Sequence, residues 1–331
     1  MLICIKRINN LMKMMKIDVH QHIWTEPFVE ALAARRELPF VRSESGLTVL
    51  YLAGERPYVI DLAGESREQR AALVELDGLD QALVCLSSPL GIEWLPRAQS
   101  LPLLDAYHEG ALGLSDPFRV WGSVALDRPD PNDVDRALAR GCVGLSLPAG
   151  ALASVQALSA LSPLLWRLEA HGAPLLVHPG APAAAGARRM GGEQAALDDP
   201  LWWPALTGYV AGMQAAWLAF LVAGRSRHPR LRVIFSMLAG LAPLHVERLC
   251  SRGGPCPPLP DPLVFYETSS YGPTTVGLMQ ELLGPQQLLY GSDRPVVEPG
   301  ELGMPAGVAW EPIIECTHRA LDSAQLAAVA G

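Results

Sequence analysis

K-I-D-V-H-Q-H-I-W, from Lys16 to Trp24, is the most informative stretch of this 331-residue chain. Ile17 and Val19 mark a buried strand, and the alternation of a pleated strand sends His20 and His22 to the same face. Two parallel imidazoles make half of a metal site. A lone His-x-His is equally at home at a polar strand end, so its meaning depends on what the rest of the chain brings to it.

Outward from that strand, apolar runs alternate with helical patterns. Further strands are expected at 82–87, 119–126, 142–147, 174–178, 231–237, 263–269 and 288–291. Their apolar residues are mostly continuous rather than alternating, the mark of a parallel sheet covered on its outer face. Eight strands separated by helices predict an α/β fold, a closed (β/α)8 barrel of the TIM type, as one domain over 16–331. No G-x-G-x-x-G follows any strand, which removes the best support for a dinucleotide-binding open sheet. Residues 38–62 break the alternation with short strand-like runs separated by Gly46 and Gly54, and read as a hairpin insertion after the first strand. There it is expected to govern substrate choice rather than folding. Residues 1–15 read as a flexible extension, with Met14 or Met15 the natural start, because the apolar run 1–5 is too short for a signal-peptide core.

Half the residues are hydrophobic and 18% are charged, so a large core is available and global disorder is excluded. The net charge of −8, with no basic run, argues against nucleic acid or an anionic membrane as partner and leaves a small molecule. No stretch is expected to reach membrane-spanning length without a charge or a Pro/Gly break. Six dispersed cysteines without a C-x-x-C pair read as reduced thiols of a cytoplasmic protein.

Chemistry in such a barrel sits at the C-terminal ends of the strands. His20 and His22 end the first strand, His178 the fifth, and Asp293 follows the eighth. Three imidazoles and a carboxylate suit Zn²⁺ or another borderline divalent ion, with a position left for water.

D-V-H-Q-H-I-W, L-L-V-H-P-G and Y-G-S-D-R-P, in this order, resemble the amidohydrolase superfamily. The likeness is to its amidohydrolase-related branch, which includes aminocarboxymuconate semialdehyde decarboxylase, resorcylate-type decarboxylases and several lactone or amide hydrolases. It implies a (β/α) barrel and metal ligation by His20, His22, His178 and Asp293. The strand-four end reads G-L-S-L-P, without the Lys or Glu that bridges two metals in binuclear members, so a single ion is expected. The family often carries a catalytic His six residues before the Pro that opens the following helix. Counting back from Pro243 gives Met237.

Met cannot shuttle protons, and His245 is the nearest replacement in sequence, placed where a helix N-terminus would lower its pKa. Arg294 is a candidate for a substrate carboxylate, and Arg42, Tyr58, Met237 and Trp202 are candidates for the pocket. Trp202, Trp203, Tyr209 and Trp217 offer an aromatic wall or a subunit interface, so a homodimer or larger is expected. His108, His171, His228 and His318 fall on helices and read as surface residues. The preferred reaction is hydrolysis of a small amide, lactone or related carbonyl by metal-activated water, with Asp293 moving the proton. A metal-dependent decarboxylase of a small unsaturated or aromatic acid is the alternative, and a non-catalytic binding barrel is a third.

Overall fold

The computed structural model describes residues 15–180, 200, 202–256, 258–298 and 309–321. The expected extension lies outside them except for Met15. In chain order the strands are β1 (Ile17–Gln21), β2 (Phe40–Glu44), β3 (Leu47–Tyr51), β4 (Tyr58–Ile60), β5 (Gln81–Val84), β6 (Phe118–Val120), β7 (Leu145–Pro148), β8 (Leu175–His178), β9 (Val233–Phe235), β10 (Val264–Glu267) and β11 (Leu288–Leu289). β1, β5 and β6 pair as one parallel arc, and β7 to β11 as another. Parallel bridges from Gly122 to Leu145 and from Gln21 to Arg294 join the arcs on both sides. The result is the eight-stranded closed barrel that the apolar runs predict.

Side-chain parity positions the site. Val84, Leu147, Val177, Phe235 and Tyr266 pack outward into the cluster shared with the helices, whereas Leu83, Trp121, Leu176, Ile234, Phe265 and Leu289 form a second cluster. Cys85, His178 and Glu267 share the parity of Leu83, Leu176 and Phe265, and all three meet the β1 histidines. An apolar floor therefore lies beneath a polar rim, as this kind of barrel requires.

The insertion is a three-stranded antiparallel sheet in the order β2-β3-β4. It does not hang free: Val41, Leu50, Leu52 and Ile60 are buried in the main core. Arg42 donates to the carbonyls of Ala33, Val41 and Arg35 and lies over the Phe40 ring, bracing the sheet against the helix Glu26–Ala33. The expectation that this segment serves substrate choice and not folding is corrected by that packing. Truncating a buried leucine there, Leu50→Ala, should cost about 2–5 kcal/mol in chemical denaturation, where a merely decorative sheet would lose almost nothing.

Two further expectations change, those for Trp217 and for the cysteines. One helical run among the described residues, Trp203–Arg227, is long and apolar enough to cross a membrane. Its Met213, Ala216, Trp217 and Phe220 are nevertheless packed in the barrel core, and Trp217 Nε1 donates to Tyr266 Oη, so Trp217 is no interface residue. Cys250 and Cys256 form a disulfide with Cα atoms 5.2 Å apart, within bridging range, because the chain turns back between them; Cys85, Cys142 and Cys316 are free and buried.

His228 and His108 are buried rather than on the surface. His108 Nε2 accepts from the Ser123 amide at 3.0 Å. Burial, aided by Arg140, pushes His108 from 6.5 down to about 4. Between those values the unfolded chain takes up a proton that the folded chain refuses, so stability is full above pH 6.5 and falls as pH drops toward 4. The loss amounts to about 3 kcal/mol. Urea midpoints measured from pH 7 to 4 should show this slope in the wild type and a flatter one in His108→Gln.

Candidate metal centre

His20 and His22 stand at the end of β1, His178 ends β8, and Asp293 follows β11. Four atoms converge there. His20 Nε2 lies 3.3 Å from His22 Nε2, and His178 Nε2 lies 3.2 Å from it. Asp293 Oδ1 is 3.0 Å from His22 Nε2 and 3.4 Å from His20 Nε2. A tetrahedral Zn²⁺ bonded at 2.0–2.1 Å places its ligands about 3.3 Å apart. The distances from His22 Nε2 to the other three donors, and from His20 Nε2 to Asp293, are thus those of ligands sharing one ion.

The outer nitrogens explain why the inner ones are available. His20 Nδ1 donates to Glu267 Oε2 at 3.0 Å, His22 Nδ1 to the Cys85 carbonyl at 2.9 Å, and His178 Nδ1 to the Pro179 carbonyl. Each ring therefore holds its proton on Nδ1 and turns the Nε2 lone pair inward, the second-shell pattern of histidine metal ligands. Glu267 is fully buried and is fixed in turn by Ser269 Oγ at 2.8 Å and by the Met237 amide at 3.2 Å. Gly291 faces it so closely that a Cβ would collide with the carboxylate.

Asp293 has φ 61°, a left-handed conformation that a non-glycine residue adopts at a cost, and its amide is held by the His20 carbonyl at 2.9 Å. A longer strained segment follows β9. Met237, Leu238, Ala239, Gly240 and Leu241 all have φ between 40° and 64°, at about 1–2 kcal/mol per non-glycine residue. Gln214 Nε2 holds the turn by donating to the Gly240 carbonyl at 2.8 Å. This turn lies between the expected strand 231–237 and the helix expected from Pro243, and the regular helix begins only at Val246.

The protein groups taken alone are electrostatically coupled. Burial works against charge on His22, but the Cys85 sulfur and the Asp293 carboxylate outweigh it and raise the ring to about 10. His20 is raised in the same way, with Glu267 adding to the pull. His178 is lowered by burial and by the two neighbouring rings. Burial would raise Asp293, and His20 and His22 reverse that, holding it below the usual carboxylate value. Cys85, against burial, is brought down to about 7 by the same two histidines.

The remaining candidates are not brought to this point. Arg294 is committed to Asp77 at 3.1 Å and to Glu298, and braces the barrel mouth rather than facing a substrate. His245 is exposed, and no hydrogen bond or ion pair among the described residues joins it to the cluster. Tyr58 is half-exposed beside Trp24, Arg42 is structural, and Trp202 is exposed and tilted against Trp203. Met237 meets the site through its backbone, by way of Glu267. Sequence reasoning missed Cys85, although its place just after β5, at inward parity, was open to the same argument that found the histidines. A small cavity lined by His22, Trp24, Phe28, Cys85, Ser87 and Tyr107 adjoins the cluster. A larger one, between the helices Arg97–Leu112 and Asn132–Ala139, contains Asp105, Asp133, Arg136 and Arg140 already paired with one another, and none of the candidate ligands.

No protein-family model and no curated protein matches the sequence. Solved structures do match. IDCase of Metarhizium anisopliae superposes with a TM-score of 0.70 at 16% identity, covering 96% of this chain and 95% of that one. The 5-carboxyvanillate decarboxylase of Novosphingobium aromaticivorans, complexed with manganese and 4-hydroxy-3-methoxy-5-nitrobenzoic acid, gives 0.66 at 16%, covering 91% and 93%. The 2,6-dihydroxybenzoate decarboxylase of Rhizobium gives 0.65 at 14%, covering 92% and 98%. The chain has the barrel fold of these proteins. The mixed α/β architecture with parallel strands is the one that the quoted motifs imply.

If Glu267 orients His20, removing it or displacing it weakens metal binding without unfolding the barrel. Glu267→Ala and Gly291→Ala should each lower Zn²⁺ affinity about 10- to 100-fold in competition with a chromophoric chelator. Unchanged affinity in both would refute the orienting role.

Proposed function

We propose that this protein is a metal-dependent decarboxylase of a small aromatic or unsaturated carboxylic acid. The observation that carries the proposal is the convergence of His20, His178 and Asp293 on His22 at the mouth of a barrel shared with several decarboxylases, one of them complexed with manganese and a benzoic acid derivative. The order of preference from the sequence, hydrolysis first, is thereby reversed. When bound, the divalent ion supplies positive charge that binds an anionic substrate and stabilises charge developing on it.

The protein's own residues set the rest. Asp293 is the one ligand side chain that keeps appreciable exposure, 17%, so its second oxygen is free to meet a substrate. It would take a proton from water or a substrate hydroxyl and pass it to the ring carbon as the bond to the departing carbon dioxide breaks. Trp24 and Phe28, stacked with centroids 5.9 Å apart, pack beside His22 and close the apolar side of the cluster. Met237 favours hydrolysis as the second reading, because a site with one proton-handling carboxylate suffices for attack by water.

Hydroxylated benzoates and related ring carboxylates should release CO₂ in the presence of Zn²⁺ or Mn²⁺, and lactones and amides should release no acid. Asp293→Asn should cost at least about a hundredfold in rate, whereas His245→Ala should leave it within about twofold, since an exposed ring off the cluster transfers no proton to the substrate. Acid release without CO₂ would move the assignment to hydrolysis, and no turnover by fully metal-loaded protein would favour a binding barrel. Exposed Trp202, Trp203, Leu206 and Val222 fit a homo-oligomer; a monomer in light scattering at micromolar concentration would refute the assembly.

A further inference from the structure

Cys85 is the inward-facing residue just past the end of β5, placed beside His22 because Gln21 pairs with Val84 and the Cys85 amide donates to the Gln21 carbonyl at 2.8 Å. Its sulfur lies 3.6 Å from His22 Nδ1. The sulfur and one ring nitrogen from each of His20, His22 and His178 lie within 4.8 Å of one another, and all four residues are buried. The other free cysteines among the described residues, Cys142 and Cys316, are not part of this cluster.

We propose that Cys85 is a thiolate donor to the metal centre, binding the ion together with His20, His22 and His178, so that the site offers a soft sulfur as well as the hard Asp293 oxygen. This rests on the metal reading of the site given above. Ligation requires the thiol to lose its proton to solvent as the metal–sulfur bond forms. The consequence is metal choice. Imidazole and carboxylate suit many divalent ions, but a thiolate favours Zn²⁺ and Co²⁺ over Mn²⁺. Cys85 would therefore separate this protein's metal preference from that of the manganese-bound decarboxylase with the same fold.

Cobalt distinguishes the donors directly. Titration of metal-stripped protein with Co²⁺ should develop visible ligand-field bands, which report occupancy, together with a near-ultraviolet sulfur-to-cobalt charge-transfer band. In Cys85→Ser and Cys85→Ala the visible bands should persist and the charge-transfer band should vanish. The preference for Zn²⁺ over Mn²⁺ should fall by at least about tenfold in both. The wild-type spectrum stands even if a variant misfolds, and far-ultraviolet circular dichroism identifies that case. Visible bands with no charge-transfer band in the wild type, or a band that survives both substitutions, overturns the role of Cys85 and leaves the metal site intact. No cobalt bands of either kind would overturn both.

Discussion

Two imidazole nitrogens and a carboxylate oxygen, gathered 3.0–3.3 Å from the Nε2 of His22, repel one another and that nitrogen unless positive charge sits between them. Much of the surrounding architecture serves to hold that unfavourable arrangement. Each Nδ1 is pinned by a carbonyl or by Glu267, and Asp293 is held in a left-handed conformation by the His20 carbonyl. The upward shifts of His20 and His22 express the same demand met by protons, and a divalent cation meets it better because it satisfies all four atoms together.

The barrel supplies the rigidity this needs. The ligands come from β1, β8 and the segment after β11, which are distant in sequence, and only closure of the strand ring brings them together. Beneath them Leu83, Trp121, Leu176, Ile234 and Phe265 fill the interior, so the polar cluster rests on a packed floor and cannot relax downward. Strain concentrates at this rim as well: the left-handed run from Met237 to Leu241 lies one hydrogen bond from Glu267 and two from His20.

The convergence of His20, His22, His178 and Asp293, and the barrel, were legible in the sequence because both follow from strand parity and strand ends, which are local properties. What was not legible depends on partners far away or on conformations that residue type disfavours. Arg294 reads as a substrate anchor until Asp77, 217 residues earlier, is found to bind it. His108 reads as a surface residue until the Ser123 amide shows it to be a buried acceptor. Leu238, Ala239 and Leu241 carry no signal for positive φ, so the left-handed turn between the strand and the helix was not read from them. Cys85 is a different case, since its parity was available and its composition alone made it look like core.

The insertion shows the same limit from the other side. Its strands were readable, but the burial of Leu50 and Ile60 in the main core was not, and that burial makes it part of the fold. The central claim remains the coordination geometry. The most direct measurement is anomalous diffraction from zinc-loaded crystals of the whole chain. The account predicts one peak per chain, about 2 Å from His20 Nε2, His22 Nε2, His178 Nε2 and an Asp293 oxygen; two peaks at the barrel mouth, or one bonded to residues other than these and Cys85, would contradict it.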